Sequence, residues 1–590
     1  MCGICGEIRF DDNSPNIEII KLMQTKLVPR GPDDTGTFQN GPLAFGHQRL
    51  AIIDLSDRAR QPMIDQELGL ALVFNGTIYN YPELRTELSN IGYHFFSTGD
   101  TEVILKAYQE WGPSCVEHLH GMFAIAIWDL AEKTLFLSRD RFGIKPLYWT
   151  ESNKFLRFAS NMQAILACGD INTDLDPIAL HQKFTLHGVV PAPRTILRKI
   201  KKLKPAHWLL LHEDGTRREH CYWQLKATRP AVPRSELEWI TDIQTTLYNA
   251  VKSHNNIADV PVGILLSGGL DSSLLVGILA DIGFAKIQTF TIGFDDQPEE
   301  QGNEFVYSDL VANHFATEHH KITISNQQVL TRLPEAVGAM SEPMFAQDAV
   351  GFYLLAEQVA RNIKAVQSGQ GADEVFAGYF WYQHMAALTS GSRLERFSNN
   401  YFDREHAEYL QMMMSHYHVP DPTSPLIDAA LQSTDADEFM DAVLRLDVTT
   451  LIVDDPVKRV DNMTMAHSLE ARVPFLDHNL VELAASCPPE LKLRHNGKYL
   501  LKAIARNLLP DAVIDRTKGY FPVPALKYIR GPFLELVQDI FNSQAAKSRG
   551  LYNPVYLGRL LAEPDKHYTR IQGNKLWHCA LLEYWLQMHI

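Results

Sequence analysis

The chain has 590 residues, 45% of them hydrophobic and 21% charged, with a formal net charge of −15 at pH 7. Such a length holds about two to four domains with large cores, and its acidic balance excludes bulk attraction to nucleic acid or an anionic membrane surface, leaving small-molecule chemistry as the expectation. No apolar run of about 18 residues and no basic or apolar leader pattern occurs, and seven irregularly spaced cysteines suit a reducing compartment; a cytoplasmic location follows.

In chain order, residues 5–10 alternate like a strand, 17–28 carry helical spacing, and 30–34 form a polar turn. Residues 43–55 and 70–74 read as strands, the second closed in a turn by Asn75-Gly76. Helical spacing follows at 82–91 and 102–110, a hairpin at 122–128 and 134–138, and further strands at 147–149 and 155–159. The pattern predicts an α+β domain over residues 1–211 with helices layered on sheets, then a polar, proline-containing linker over 212–234.

Cys2 is the first candidate for chemistry. With the initiator methionine removed its α-amine, of pKa about 7.7 to 8.0, can take the thiol proton, so nucleophile and base share one residue. Asn75 and the Gly76 N–H are the expected oxyanion donors, each worth roughly 3 kcal/mol of catalysis. Arg49 can pair with a substrate carboxylate and Asp100 with an α-ammonium, a pair of charges that describes an amino acid. Cys2-Gly-Ile-Cys5 is also a C-x-x-C. A redox pair wants a helix after the first cysteine and a zinc site wants a second ligand pair, whereas here a strand follows and no matching motif occurs.

The second domain, 235–590, opens with helical spacing at 235–253 and then alternates strand and helix: strands at 260–266, 287–294, 321–324 and 364–367, helices at 274–282 and 305–316. Alternation predicts a parallel sheet with helices on both faces and ligands beyond the carboxyl ends of its strands. Ser267-Gly-Gly-Leu-Asp-Ser-Ser273 lies at such an end. Its glycines let backbone N–H groups approach phosphate oxygens, Ser267, Ser272 and Ser273 add hydroxyls, and the following helix adds positive potential. No lysine follows the second glycine, so this is not a P-loop. Ser368-Gly-Gln-Gly-Ala-Asp-Glu374 is a second glycine-rich strand end, and Asp271 with Asp373 can hold Mg²⁺ against a pyrophosphate. Leu265 and Ile292, at strand ends, are placed to flank an adenine. Beyond about residue 380 the chain reads as largely helical, and Lys518 sits in a glycine-containing loop suited to neutralising a phosphorus centre.

Cys2-Gly-Ile-Cys-Gly6, Arg30-Gly-Pro-Asp33, His47-Gln-Arg-Leu50, Asn75-Gly-Thr-Ile-Tyr-Asn80 and Gly99-Asp-Thr-Glu102 resemble the class II glutamine amidotransferase domain. That resemblance implies an N-terminal-nucleophile hydrolase of αββα layers that releases ammonia from glutamine, bound by Arg49, Leu50, Ile52, Asn75, Gly76, Thr77 and Asp100. The S-G-G-x-D-S loop, Glu342-Pro343, Asp461-Asn-Met-Thr-Met465, Glu470-Ala-Arg-Val-Pro-Phe-Leu-Asp477 and Arg516-Thr-Lys-Gly-Tyr520 are similar to asparagine synthetases, so the resemblance spans nearly the whole chain. It implies ATP cleavage to AMP and pyrophosphate through an acyl-adenylate. Leu265, Ser267, Gly268, Gly269, Asp271, Ser272, Ile292, Ser368 and Gly369 would bind ATP, Asp271 and Asp373 would bind Mg²⁺, Glu342 would orient or deprotonate ammonia, and Lys518 would stabilise the adenylation transition state. A protected ammonia channel between domains and a homodimer are further expectations.

Two positions depart from the usual asparagine synthetase: Thr77 stands where Glu is common, and Gln370 where an acid is common. With Pro191-Ala-Pro-Arg194, Lys458-Arg-Val-Asp-Asn462 and Lys518-Gly-Tyr-Phe-Pro-Val-Pro-Ala525, Gln370 resembles the N-acetylglutaminylglutamine amidotransferases, which make the terminal amide of a dipeptide osmoprotectant. Aspartate is the alternative acceptor. A binding or regulatory homologue without activity is the reading from another class, opposed by the complete set Cys2, Arg49, Asn75, Asp100, Asp271 and Asp373.

Overall fold

The computed structural model describes residues 1–516, 519 and 523–590. The first half is built on two six-stranded antiparallel sheets. The strands are β1 (Cys2–Arg9), β2 (Asp34–Asn40), β3 (Leu43–Arg49), β4 (Met63–Asp65), β5 (Leu70–Ile78), β6 (Gly121–Asp129), β7 (Thr134–Arg139), β8 (Tyr148–Glu151), β9 (Phe155–Ala159), β10 (Ile200–Lys202), β11 (His207–His212) and β12 (Arg217–Cys221). They run in the orders β10-β8-β9-β1-β3-β2 and β12-β11-β7-β6-β5-β4.

Alternation along the strands makes the layers. Ile4, Ile8, Leu43 and Phe45 of the first sheet meet Ala71, Val73, Ala124 and Trp128 of the second in one core. Cys5 and Ala44, on the opposite face, pack under Ile20 and Met23 of the helix Ile17–Thr25. Phe123, Ile125 and Ile127 pack instead with Leu84, Leu88 and Ile104 of the helices Tyr81–Asn90 and Asp100–Trp111. The period of two thus sorts each strand between a sheet partner and a helix cover, giving the expected αββα order.

Three sequence expectations are corrected here. The helix from Ile17 ends at Thr25 rather than 28, with Lys26 as its C-cap, and a separate 3-10 turn over Val28–Arg30 follows. Asn75-Gly76 does not close a turn: β5 continues through it to Ile78, Asn75 opposing Ala124 and Gly76 opposing Phe123. A Cβ at Gly76 would meet the Met122 carbonyl oxygen at 2.1 Å, so glycine is needed there for close strand approach. The linker expected from 212 begins with a strand, since β12 pairs with β11 and forms the edge of the second sheet.

The second half holds a five-stranded parallel sheet of β13 (Val262–Leu265), β14 (Gln288–Phe294), β15 (Glu318–Ile324), β16 (Ala365–Gln367) and β17 (Glu470–Arg472), in the order β15-β14-β13-β16-β17. The helix Glu236–Asn256 precedes it, started by a capping box between Ser235 and Glu238. Helices Leu270–Asp281 and Phe305–His314 make the first two crossovers. The predicted parallel sheet is present, but β17 arrives after a helical stretch of about a hundred residues and is only 3 residues long, too short to read from periodicity. The remaining chain is mainly helical, ending in Lys575–His589. Among the described residues no helix is long and apolar enough to cross a membrane.

Candidate active sites

Cys2 begins β1, directly opposite Arg49 of β3 in the strand register. Its backbone N–H donates to Asn75 Oδ1 at 3.1 Å, and its carbonyl accepts from Arg30 Nε at 3.1 Å. The Asn75 Nδ2 group is fully buried with no hydrogen-bond partner among the described residues. A buried amide with an unused donor beside a cysteine is a stabiliser for an oxyanion. Asp100 starts the helix Asp100–Trp111 and its Oδ2 accepts from the Ile78 N–H at 3.1 Å. Burial raises its carboxyl to about 6. Arg49 Nη1 donates to the Ser56 carbonyl at 3.1 Å and Nη2 to that of Asp54, neutral partners that leave its charge uncompensated. Leu50 and Ile52 are buried along the same segment. The Cys2 thiol is itself raised, burial outweighing the nearby terminal ammonium.

The Met1 ammonium lies 3.1 Å from Glu470 Oε2, and Thr77 Oγ1 donates to both oxygens of the same carboxylate at 3.3 Å. Glu470 belongs to β17 of the second half, so the two halves meet beside the start of β1. Arg472, at 2.5 Å, is the largest of the charges that hold Glu470 at about 2, against burial. In the sequence Glu470 is marked only as part of the segment 470–477 that is similar to asparagine synthetases.

The second site is a cavity of about 1450 Å³ at the carboxyl ends of the parallel sheet. Ser267, Gly269, Asp271 and Ser272 line it, with Ser368 and Gly369 from the second glycine-rich segment opposite. Leu265 and Ile292 lie on its wall as expected of adenine neighbours. Gly268, at φ +77°, is absent from that wall; a Cβ there would meet Ser308 N at 2.6 Å, so it serves the packing of the loop on the helix Phe305–His314. Ser273 is corrected: its hydroxyl is buried in the helix Leu270–Asp281 rather than on the wall. Asp271 and Asp373 converge as read from sequence, and the group on which they converge is an ammonium that was not foreseen. Lys498 Nζ lies 2.6 Å from Asp271 Oδ2 and 2.7 Å from Asp373 Oδ1, and the two charges outdo burial to keep it protonated. Gly497 and Lys498 both adopt positive φ where the chain enters the helix Tyr499–Ala505. Lys518 lies outside the described residues.

Glu342 is not on the cavity wall. It is buried between the halves, where Oε1 accepts from Lys458 Nζ at 2.5 Å and from the Tyr148 hydroxyl at 3.2 Å, while Oε2 has no hydrogen-bond partner among the described residues. Lys202 lies 3.3 Å away and also pairs with Asp454 at 2.6 Å. Burial opposes its ionisation, but Lys202 and Lys458 hold the carboxyl below its usual range. On the nucleophile side, Asp461 pairs with Arg30 at 3.1 Å and Lys145 at 3.0 Å. Buried ion pairs contributed by both halves therefore join the two.

Comparison with known proteins follows this division. The model of the asparagine synthase family matches residues 242–587, and that of the glutamine amidotransferase domain matches residues 1–223. A protein of Bacillus subtilis named "Asparagine synthetase [glutamine-hydrolyzing] 1" is 30% identical, over 100% of this chain and 97% of its own. Another from the same organism, "Asparagine synthetase [glutamine-hydrolyzing] 3", is 32% identical over 88% and 87%. "Amidase chyE" of Penicillium rubens is 27% identical over 88% and 87%.

Proposed function

This chain belongs to the asparagine synthase family, and on that premise we propose that it is a glutamine-hydrolysing, ATP-dependent carbon–nitrogen ligase whose acceptor is N-acetylglutaminylglutamine. The observation that carries the two-step reading is the pairing on one chain of a strand-leading cysteine against Asn75 with a glycine-loop cavity holding Asp271 and Asp373.

In the first step Cys2 acts after Met1 is removed. Its own α-amine takes the thiol proton, the thiolate attacks the glutamine carboxamide carbon, and the oxyanion is held by Asn75 Nδ2 and the Gly76 N–H. Arg49 takes the glutamine carboxylate and Asp100 its ammonium, with Leu50, Ile52 and Thr77 lining the pocket. Removal of Met1 also frees the Leu50 N–H, which donates to the Met1 carbonyl at 3.0 Å. Ammonia leaves, and water returns the enzyme from its thioester.

In the second step the acceptor carboxylate attacks the α-phosphorus of ATP, pyrophosphate leaves, and ammonia displaces AMP. Ser267, Gly269, Ser272, Ser368 and Gly369 cradle the nucleotide, with Leu265 and Ile292 beside the adenine and Gly268 shaping the loop. Asp271 and Asp373, two hard-oxygen ligands on one wall, fit Mg²⁺, which supplies neutralisation of pyrophosphate charge. Lys498 places a fixed positive charge at the same wall, and Lys518 is assigned to the adenylation transition state. Ionised Glu342, with an unused oxygen between the sites, is suited to receive ammonia from the glutaminase half.

The dipeptide acceptor draws support from neutral Gln370 on the cavity wall. Aspartate is the second reading, because Glu374, Asp447 and Asp455 on the same wall suit an α-ammonium. Relatives of similar coverage carry both synthetase and amidase names, so the family does not fix the acceptor. Pyrophosphate release with MgATP and glutamine, comparing aspartate with the dipeptide and weighing the product by mass spectrometry, tests the choice. Turnover with aspartate alone would replace the dipeptide reading.

A further inference from the structure

Among the described residues lining the ATP cavity, His187 alone comes from the segment matched to the glutamine amidotransferase domain. It follows the helix Pro177–Thr185 and adopts φ +52°, with Gly188 at φ +87°. A side chain in left-handed backbone must be held there by its surroundings, and such positions concentrate at functional sites. The turn is clamped from both sides. Lys183 Nζ donates to the Gly188 carbonyl at 2.9 Å and to the Pro343 carbonyl at 2.5 Å, and the Asp403 N–H donates to the Thr185 carbonyl at 2.9 Å.

The imidazole is oriented as firmly as the backbone. Nδ1 lies 2.8 Å from Oδ2 of Asp403, whose side chain is fully buried, while His187 keeps 14% of its own exposed at the cavity. Asp403 therefore takes the Nδ1 hydrogen and fixes Nε2 as the nitrogen left for a ligand. His578 stands edge-on to the ring at 5.5 Å and is itself stacked on Phe345 at 4.5 Å. His187, Asp403 and His578 have spacing that could hold a metal ion, but Arg404 and Lys183 add positive charge there, which disfavours a cation and favours an oxygen.

We propose that His187 donates its Nε2 hydrogen to an oxygen of the acceptor substrate, so that the glutaminase half supplies part of the amidation site. The inference rests on the cavity being that site. A neutral ring bonded to Asp403 through Nδ1–H has no Nε2 hydrogen, so donation needs the imidazolium. Burial is the largest influence on the ring and lowers its basicity, with Arg459 and His578 on the same side; Asp403, Asp455 and Asp348 raise it, and the balance is upward.

The test is pyrophosphate release at saturating MgATP and ammonia, with N-acetylglutaminylglutamine and aspartate each varied, in wild type, His187→Phe and His187→Gln. The expected result is an acceptor KM at least tenfold higher in His187→Phe, a smaller rise in His187→Gln, and an unchanged ATP KM. Acceptor kcat/KM in wild type should fall as pH rises and the ring loses its proton, and this fall should vanish in His187→Gln. Gly573→Ala is the second variant, because its Cβ would lie 3.2 Å from His187 Cε1 and 2.6 Å from His578 Nε2; it should raise acceptor KM with His187 in place. An unchanged acceptor KM in His187→Phe, with wild type active, overturns the inference alone. A wild type that amidates neither carboxylate overturns the cavity assignment and this inference with it.

Discussion

At Lys498 an ammonium within 2.7 Å of two carboxylates is 8% exposed, so its removal leaves two facing negative charges at the glycine loop. Lys498→Met should therefore weaken MgATP binding and lower pyrophosphate release by about a hundredfold, as loss of a preorganised charge does, while glutamine hydrolysis persists. Parallel assays of the two half-reactions check this. Asp100 carries the second residue-scale prediction. Its folded-state carboxyl near 6 lies above the ordinary value, so its charge is present above that pH and is lost as pH falls through it. Glutamine kcat/KM should fall below about pH 6 as the ammonium loses its partner, and Asp100→Asn should be poor at all pH values; a pH profile of glutaminase activity reads both. By the same sign, the raised carboxyl favours folding at low pH and that contribution is lost as pH rises toward 6. Cys2, Asn75, Asp271 and Asp373 were legible because each lies in a local motif. Lys498 and Glu470 were not, because Asp271 lies 227 residues from Lys498 and Met1 lies 469 residues from Glu470 along the chain.

The elements show where local pattern misleads. Asn-Gly is a strong turn signal in isolation, yet at Asn75-Gly76 pairing with β6 on one side overrides it and keeps the segment extended. The strand is what carries Asn75 to Cys2. Gly76→Ala should push the added Cβ against the Met122 carbonyl, destabilise the sheet by about 1–3 kcal/mol, and reduce glutaminase activity through a displaced Asn75. Thermal unfolding and glutamine hydrolysis measured together would show it; an alanine variant as stable and active as wild type would refute the close approach. Alternation made seven of the twelve strands of the first half readable, β1, β3 and β5 to β9, and the strand and helix rhythm made the parallel sheet readable. Two of the edge strands missed were β12, a mainly exposed and mainly polar strand, RREHC, and β17, which has three residues, so neither presents an apolar period.

Across the whole molecule, Asp461 of the second half holds Arg30 and Lys145 of the first, and Arg30 also holds the Cys2 carbonyl. Removing one partner of a buried ion pair leaves the others uncompensated. Asp461→Asn should cost about 3 kcal/mol and, more tellingly, uncouple the sites: ammonia-dependent synthesis should persist while the ratio of amide formed to glutamine hydrolysed falls. The measurement that bears most directly on the two-site account is Cys2→Ala assayed with MgATP and each acceptor, once with glutamine and once with ammonia. The account predicts no product from glutamine and undiminished pyrophosphate release and amide formation from ammonia. Product formed from glutamine by Cys2→Ala, or loss of the ammonia reaction along with the glutamine one, would contradict it.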